Sequence, residues 1–254
     1  MKNRKIWILL TAIVLILSIT VAGTLAYLIS SAEVVNTFTV GNVGLKLDEV
    51  KVNADGSVDT SVDRVTENEY HLLPGGSYPK DPTVTVLAGS EESYVRMILT
   101  VHNHDAVQAI VDNPRHGLNG DYQGLFDGWD NTVWLYKGFT EDATENTISF
   151  EFRHFETVKG EDASGADADV VLTPLFTSLK VPGTVNGAEL ADLMGANGEK
   201  FEISVEAHAI QAYSFADEDA AWTAFDDQYA YEESVAATTT EAATTAAETS
   251  TPNP

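Results

Sequence analysis

A chain of 254 residues with 39 Asp and Glu against 14 Lys and Arg carries a formal net charge of −25, which excludes binding nucleic acid or an anionic membrane surface by charge. It has no cysteine, so disulfides and thiol catalysis are both closed to it and an ordinary apolar core must hold the fold. Self-association has to overcome like-charge repulsion through directional bonding or divalent cations.

The chain opens with Lys2, Arg4 and Lys5, continues apolar from Ile6 to Leu17, then turns small and polar through Ser18, Thr20 and Gly23. That is the three-part layout of a secretory signal. Thr24-Leu25-Ala26 places small residues at the positions a signal peptidase reads, so cleavage is expected after Ala26, with Tyr27 the near alternative. An uncleaved anchor is the other reading, since Ile6–Ile29 approaches the roughly 20 residues needed to span a bilayer. Cleavage removes three basic residues and no acidic one, taking the charge from −25 to −28.

The next stretch, Val34–Val40, alternates as a strand, with Val34, Asn36, Phe38 and Val40 on one side. Gly41-Asn42 is a turn, and Val43, Leu45 and Leu47 alternate again. Strands are expected at Thr83–Leu87, Ser93–His102, Thr132–Phe139, Thr147–Phe155, Val170–Leu172 and Leu175–Val181, and over Lys200–Tyr213, the longest. Ser93–His102 is apolar on both faces and reads as central. Residues 57–68 are acidic and read as a solvated excursion. A short helix is expected over Ala106–Val111. A second, Gly187–Met194, is capped by Asn186, with Leu190, Leu193 and Met194 turned inward. A third runs over Ala216–Gln228, with Trp222 and Phe225 on one face. From Val235 onward the Ala/Thr/Glu composition cannot repay the entropy of ordering.

About nine short strands separated by turns point to an all-β, Greek-key or jelly-roll sandwich. The expected division is a signal peptide (1–26), an N-terminal strand segment (27–41), a β-sandwich domain (42–232) and a disordered tail (233–254).

Four segments together resemble the TasA/camelysin family of secreted Gram-positive matrix proteins. They are GTLAYLISSAEVVNTFTVGNVGLKL (Gly23–Leu47), LPGGSYPKDPTVTVLAGSEESYVRMILTV (Leu73–Val101), LFTSLKVP (Leu175–Pro182) and ISVEAHAIQAYSFADEDAAWTAF (Ile203–Phe225). The resemblance implies export with the signal peptidase SipW, a jelly-roll fold, and extracellular fibres in which each subunit donates its N-terminal strand to another copy. Strand addition takes affinity from backbone bonds and register from alternate side chains. Val34, Phe38 and Val40 would be the knobs, Asn36 a register pin, and Gly41 the hinge. The other reading pairs Val34–Val40 within its own domain, as a hairpin with Val43–Leu47.

The camelysin name carries a proposed metalloprotease activity, which makes a metal-dependent secreted protease the rival expectation. The sequence lacks His-Glu-x-x-His. Its one tight histidine group is His102-Asn103-His104-Asp105, where a spacing of two on a strand puts both rings on one face; a third ligand would have to be His116, Asp112 or another residue. Gly75-Gly76-Ser77-Tyr78-Pro79 breaks the nucleophile-elbow pattern at its last position. No catalytic residue and no cofactor is therefore expected, beyond diffuse calcium binding by acidic loops at 55–69, 140–146 and 161–169. A third possibility is an adhesion module presenting Trp129 and Trp134 to a carbohydrate.

Overall fold

The computed structural model describes residues 29–33, 36–37, 43–53, 55–194 and 201–230, the first two segments by backbone alone. The expected signal with its expected cleavage residues Thr24, Ala26 and Tyr27, the residues Val34, Phe38, Val40 and Gly41, and the expected tail lie outside them. The described chain is all-β in its main architecture, with every strand pairing antiparallel. Among these residues no helix is long and apolar enough to cross a membrane.

In chain order the strands are β1 (Ile29–Glu33), β2 (Asn36–Thr37), β3 (Leu45–Asp48), β4 (Lys51–Val52), β5 (Val58–Asp59), β6 (Ser77–Pro79), β7 (Thr83–Val86), β8 (Ser93–His102), β9 (Phe126–Asp127), β10 (Trp134–Asp142), β11 (Thr147–His154), β12 (Val170–Val171), β13 (Ser178–Lys180) and β14 (Ile203–Gln211). The principal sheet has six strands in the order β10-β11-β8-β14-β1-β2. Two three-stranded sheets, β12-β7-β3 and β6-β13-β9, and the hairpin β4-β5 complete the set.

β8 is central, as its two apolar faces predict. It pairs with β11 on one side and along all of β14 on the other, from Ile203↔Val101 to Gln211↔Ser93. At ten residues it is longer than β14, which is shorter than expected. Directly opposed residues of antiparallel strands share a face. One face of the principal sheet therefore gathers Val95, Met97, Leu99 and Val101 with Ile148, Phe150 and Phe152 and with Val205, Ala207 and Ala209. That face packs on Leu45, Leu47, Val84, Val86 and Leu179 of the smaller sheets to form the main core.

The opposite face is mixed, with Tyr94, Arg96, Ile98 and Thr100 of β8 beside Glu206, His208 and Ile210 of β14, and part of it is covered by a helix. The helices are α1 (His104–Asp112), α2 (Gly187–Leu193) and α3 (218–230). Trp222 and Phe225 of α3 are fully buried and cluster with Ile210. Arg96 of β8, buried, lies 4.5 Å from the Trp222 ring and 4.9 Å from the Phe225 ring. Its Nη2 donates to Asp226 at 2.5 Å, and its Nε donates to Nδ1 of His208, its directly opposed partner on β14. A buried guanidinium is tolerated when its donors are met in this way. Arg153 of β11 adds a second tie, donating to Glu151 and to Asp219 of α3. The charged residues that alternate along β8, β11 and β14 therefore fasten the helix. The burial of His208 and Ile210 beneath α3 is not visible in the strand pattern.

The acidic stretch 57–68 is anchored rather than merely solvated. Arg64 reaches back to donate to Asp48, Asp81 and Thr83. Asn68 bridges Glu49 and the backbone of Val50 and Val52. Desolvation opposes the Arg64 charge, but the two carboxylates outweigh it and hold its pKa above the ordinary value.

Deleting the Phe225 ring empties the seat between α3 and the sheet. Phe225→Ala should cost about 3–5 kcal/mol of unfolding free energy, read as a lower urea midpoint.

Candidate functional site

β1 runs beside β14 in the register Ile29↔Ile210 to Ala32↔Ala207 and then pairs with β2 through Ala32↔Thr37 and Glu33↔Asn36. The strand against the domain thus begins earlier than the expected Val34–Val40, and of the proposed donor residues only Asn36 is described, in β2. β3, the hairpin partner expected for Val34–Val40 in the alternative reading, pairs with β7 on one edge and ends its sheet.

This leaves β14 half covered. Among the described residues, β1 pairs only with Ala207–Ile210, while Ile203–Glu206 pairs with β8 alone. The bare half opens onto a cleft of about 940 Å³ whose apolar wall includes Leu47, Leu72, Leu179, Leu190 and Leu193. Each part follows from local sequence. Leu47 and Leu179 are inward positions of β3 and β13. Leu190 and Leu193 come from α2, whose Asn186 caps it as expected: Asn186 Oδ1 accepts from the N–H groups of Ala188 and Glu189, and Glu189 Oε2 accepts from Asn186 N–H at 2.8 Å. That backbone N–H, with His116 beside it, holds the Glu189 carboxyl below its usual value. Met194 departs from expectation and is exposed, because α2 ends at Leu193.

The cleft mouth is acidic, with Glu67, Glu69, Glu202 and Glu206 among its lining. Inside, Lys80 Nζ donates to the buried Glu49 at 2.8 Å. The Tyr70 hydroxyl donates to the Pro79 carbonyl at 2.7 Å. Burial, followed by the Glu49 charge, pushes the Tyr70 phenol up. The arrangement offers an apolar floor and, among the described residues, one exposed ladder edge, which suits an extended peptide segment.

The two histidines singled out from sequence are not brought to one face. β8 ends at His102, whose Nε2 lies 3.3 Å from Ser204 Oγ at the cleft. Asn103 then takes a left-handed conformation, φ 54°, ψ 47°, and His104 begins α1. The strand spacing of two is therefore broken, and the His104 ring is buried near Tyr122 at 6.1 Å. Asn103 donates to the carbonyls of Asp192 and Leu193, tying α1 to the end of α2. Among the described residues there is no group of three or more His, Asp or Glu placed to hold a metal. The tryptophan platform is also corrected: Trp134 is fully buried and donates Nε1–H to the Thr173 carbonyl, and Trp129 packs edge-on against Phe152 at 4.2 Å.

Sequence reasoning missed the bare half of β14, because pairing partners are not written in a strand's own alternation. Comparison with protein-family models, with curated proteins and with solved structures found no match.

Glu206 sits at the junction of the covered and bare halves. The His208 ring beside it, at 3.6 Å, lowers its pKa below the ordinary 4.5, with Arg96 helping and burial opposing. A carboxylate depressed on folding contributes stability above its unfolded pKa and loses it as pH falls through the folded one. The stability gap between the native protein and Glu206→Gln should therefore be present at pH 6 and close below pH 4.5, as followed by urea unfolding across that window.

Proposed function

We propose that this protein is a secreted, non-enzymatic, jelly-roll subunit of an extracellular fibre or matrix, released by a SipW-type signal peptidase and assembled by donation of the N-terminal strand to another copy. The observation that carries the reading is the half-paired edge of β14 above an apolar cleft. A strand from another copy that takes the place of β1, keeps its register and continues rather than turning back, brings Val34 opposite Val205, Asn36 opposite Ile203 and Phe38 opposite Phe201. Val34, Asn36 and Phe38 then share the face of Ala207 and Val205, the side on which the apolar cleft lies. Backbone bonds to the bare edge give affinity without charge, as a partner of the same sign requires.

The reading separates donor from acceptor. Deleting Glu33–Val40 should leave a soluble, folded protein that forms no filaments in negative-stain microscopy. Ile203→Arg, placing a charge on the acceptor edge, should also stop filaments. Mixing the two should restore a single contact, giving heterodimers by size-exclusion chromatography and nothing longer. Filaments from either variant alone would refute strand donation.

A further inference from the structure

The far edge of the principal sheet carries a second surface that strand donation does not use. On β10 and β11 the pairs Trp134/His154, Tyr136/Phe152, Phe139/Phe150 and Glu141/Ile148 share the core face. A bulge between Tyr136 and Gly138 keeps Phe139 on that face. β10 is the outermost strand, and the smaller sheets do not cover it: Tyr136 is 53% exposed and Phe139 57%. Behind them lie Phe152 at 5.7 Å from Tyr136 and Phe150 at 6.3 Å from Phe139. Tyr122 follows at 5.2 Å from Phe150, and half-buried Trp129 packs on Phe152. Exposed aromatic clusters of this kind mark interaction sites.

Two features decide the occupant. The first is charge. Glu141 is the next residue on the same face, and the charges of Asp112, Glu141 and Asp105, after burial, push the neighbouring Tyr122 phenol up. Lys137 leaves this face and pairs with Glu218 of α3. An acidic rim on a chain of net charge −25 repels a second copy and favours a cationic partner. The second is shape. Neither the cleft beside β14 nor the smaller one at Lys51–Asn53 reaches Tyr136 or Phe139. The rings lie more than half exposed along the outermost strand, outside both clefts. Flat aromatic faces suit the faces of sugar rings, and an ammonium group over such a face gains cation–π attraction.

We propose that the Tyr136–Phe139 overhang binds a polysaccharide bearing free amino groups, of the glucosamine-polymer class, with Glu141 receiving an ammonium. The probe is hexameric glucosamine titrated into the full chain by calorimetry, beside its fully N-acetylated counterpart and oligolysine of equal charge. The hexamer should bind, and Tyr136→Ala/Phe139→Ala should weaken it about tenfold. Glu141→Gln should weaken it less, and Lys137→Ala, on the other face, should not weaken it. The acetylated hexamer should bind more weakly than the amine. Phe139→Leu keeps apolar bulk but removes the ring face, so it should weaken binding while the melting temperature stays near that of the native protein. Absence of hexamer binding, unchanged affinity in the double variant, or oligolysine binding that is lost in the same variants would each overturn the proposal, the last in favour of a basic polypeptide.

Discussion

The nine-residue ladder between β8 and β14 is the contact on which the rest of the molecule hangs. It joins positions more than a hundred residues apart in the chain, and it sets which residues share each face of the principal sheet. On one face it aligns Val95, Met97 and Leu99 with Ala209, Ala207 and Val205, and the smaller sheets close over them. On the other it places Arg96 directly against His208, and α3 closes over that pair with Trp222, Phe225 and Asp226. A slip of one residue would exchange the two faces and bury the charged set in the core.

The same ladder creates the site. β14 is held along its whole length by β8, so the strand stays straight and extended even where its other edge has no partner among the described residues. A bare edge is normally a liability for uncontrolled pairing. Here it is bounded by β1 on one side, faced by an apolar cleft and rimmed by glutamates. An occupant must therefore be extended, apolar on alternate residues and not strongly acidic. Val34–Val40 meets those terms, which is why the proposed function rests on that edge. The two ends of the principal sheet also differ in chemistry. One offers backbone groups above an apolar floor; the other offers exposed aromatic rings on the face that also carries Glu141.

Much of the fold was legible residue by residue where a short-range signal existed. Ser93–His102 is a central strand because both its faces are apolar. Asn186 caps α2 because its side chain and that of Glu189 meet each other's backbone N–H groups. Trp222 and Phe225 share a face because they lie three apart on a helix. Legibility failed where one residue changed the local period. Asn103, in a left-handed conformation, converts a strand spacing into a strand–helix corner and separates His102 from His104. Trp134 looked like half of an exposed platform, yet its strand position turns it into the core and its indole finds the Thr173 carbonyl.

The sequence by itself determined the class of the fold, the position of the longer strands, the Asn186 cap of α2 and a strongly anionic composition, because alternation, capping and charge are properties of neighbouring residues. Only the tertiary structure decided which strands pair, that half of β14 lacks a strand on its β1 side among the described residues, that Arg96 is buried beneath α3, and that Tyr136 and Phe139 overhang the core. Those depend on contacts between residues far apart in the chain, and a strand's alternation says which face is apolar without saying what will cover it.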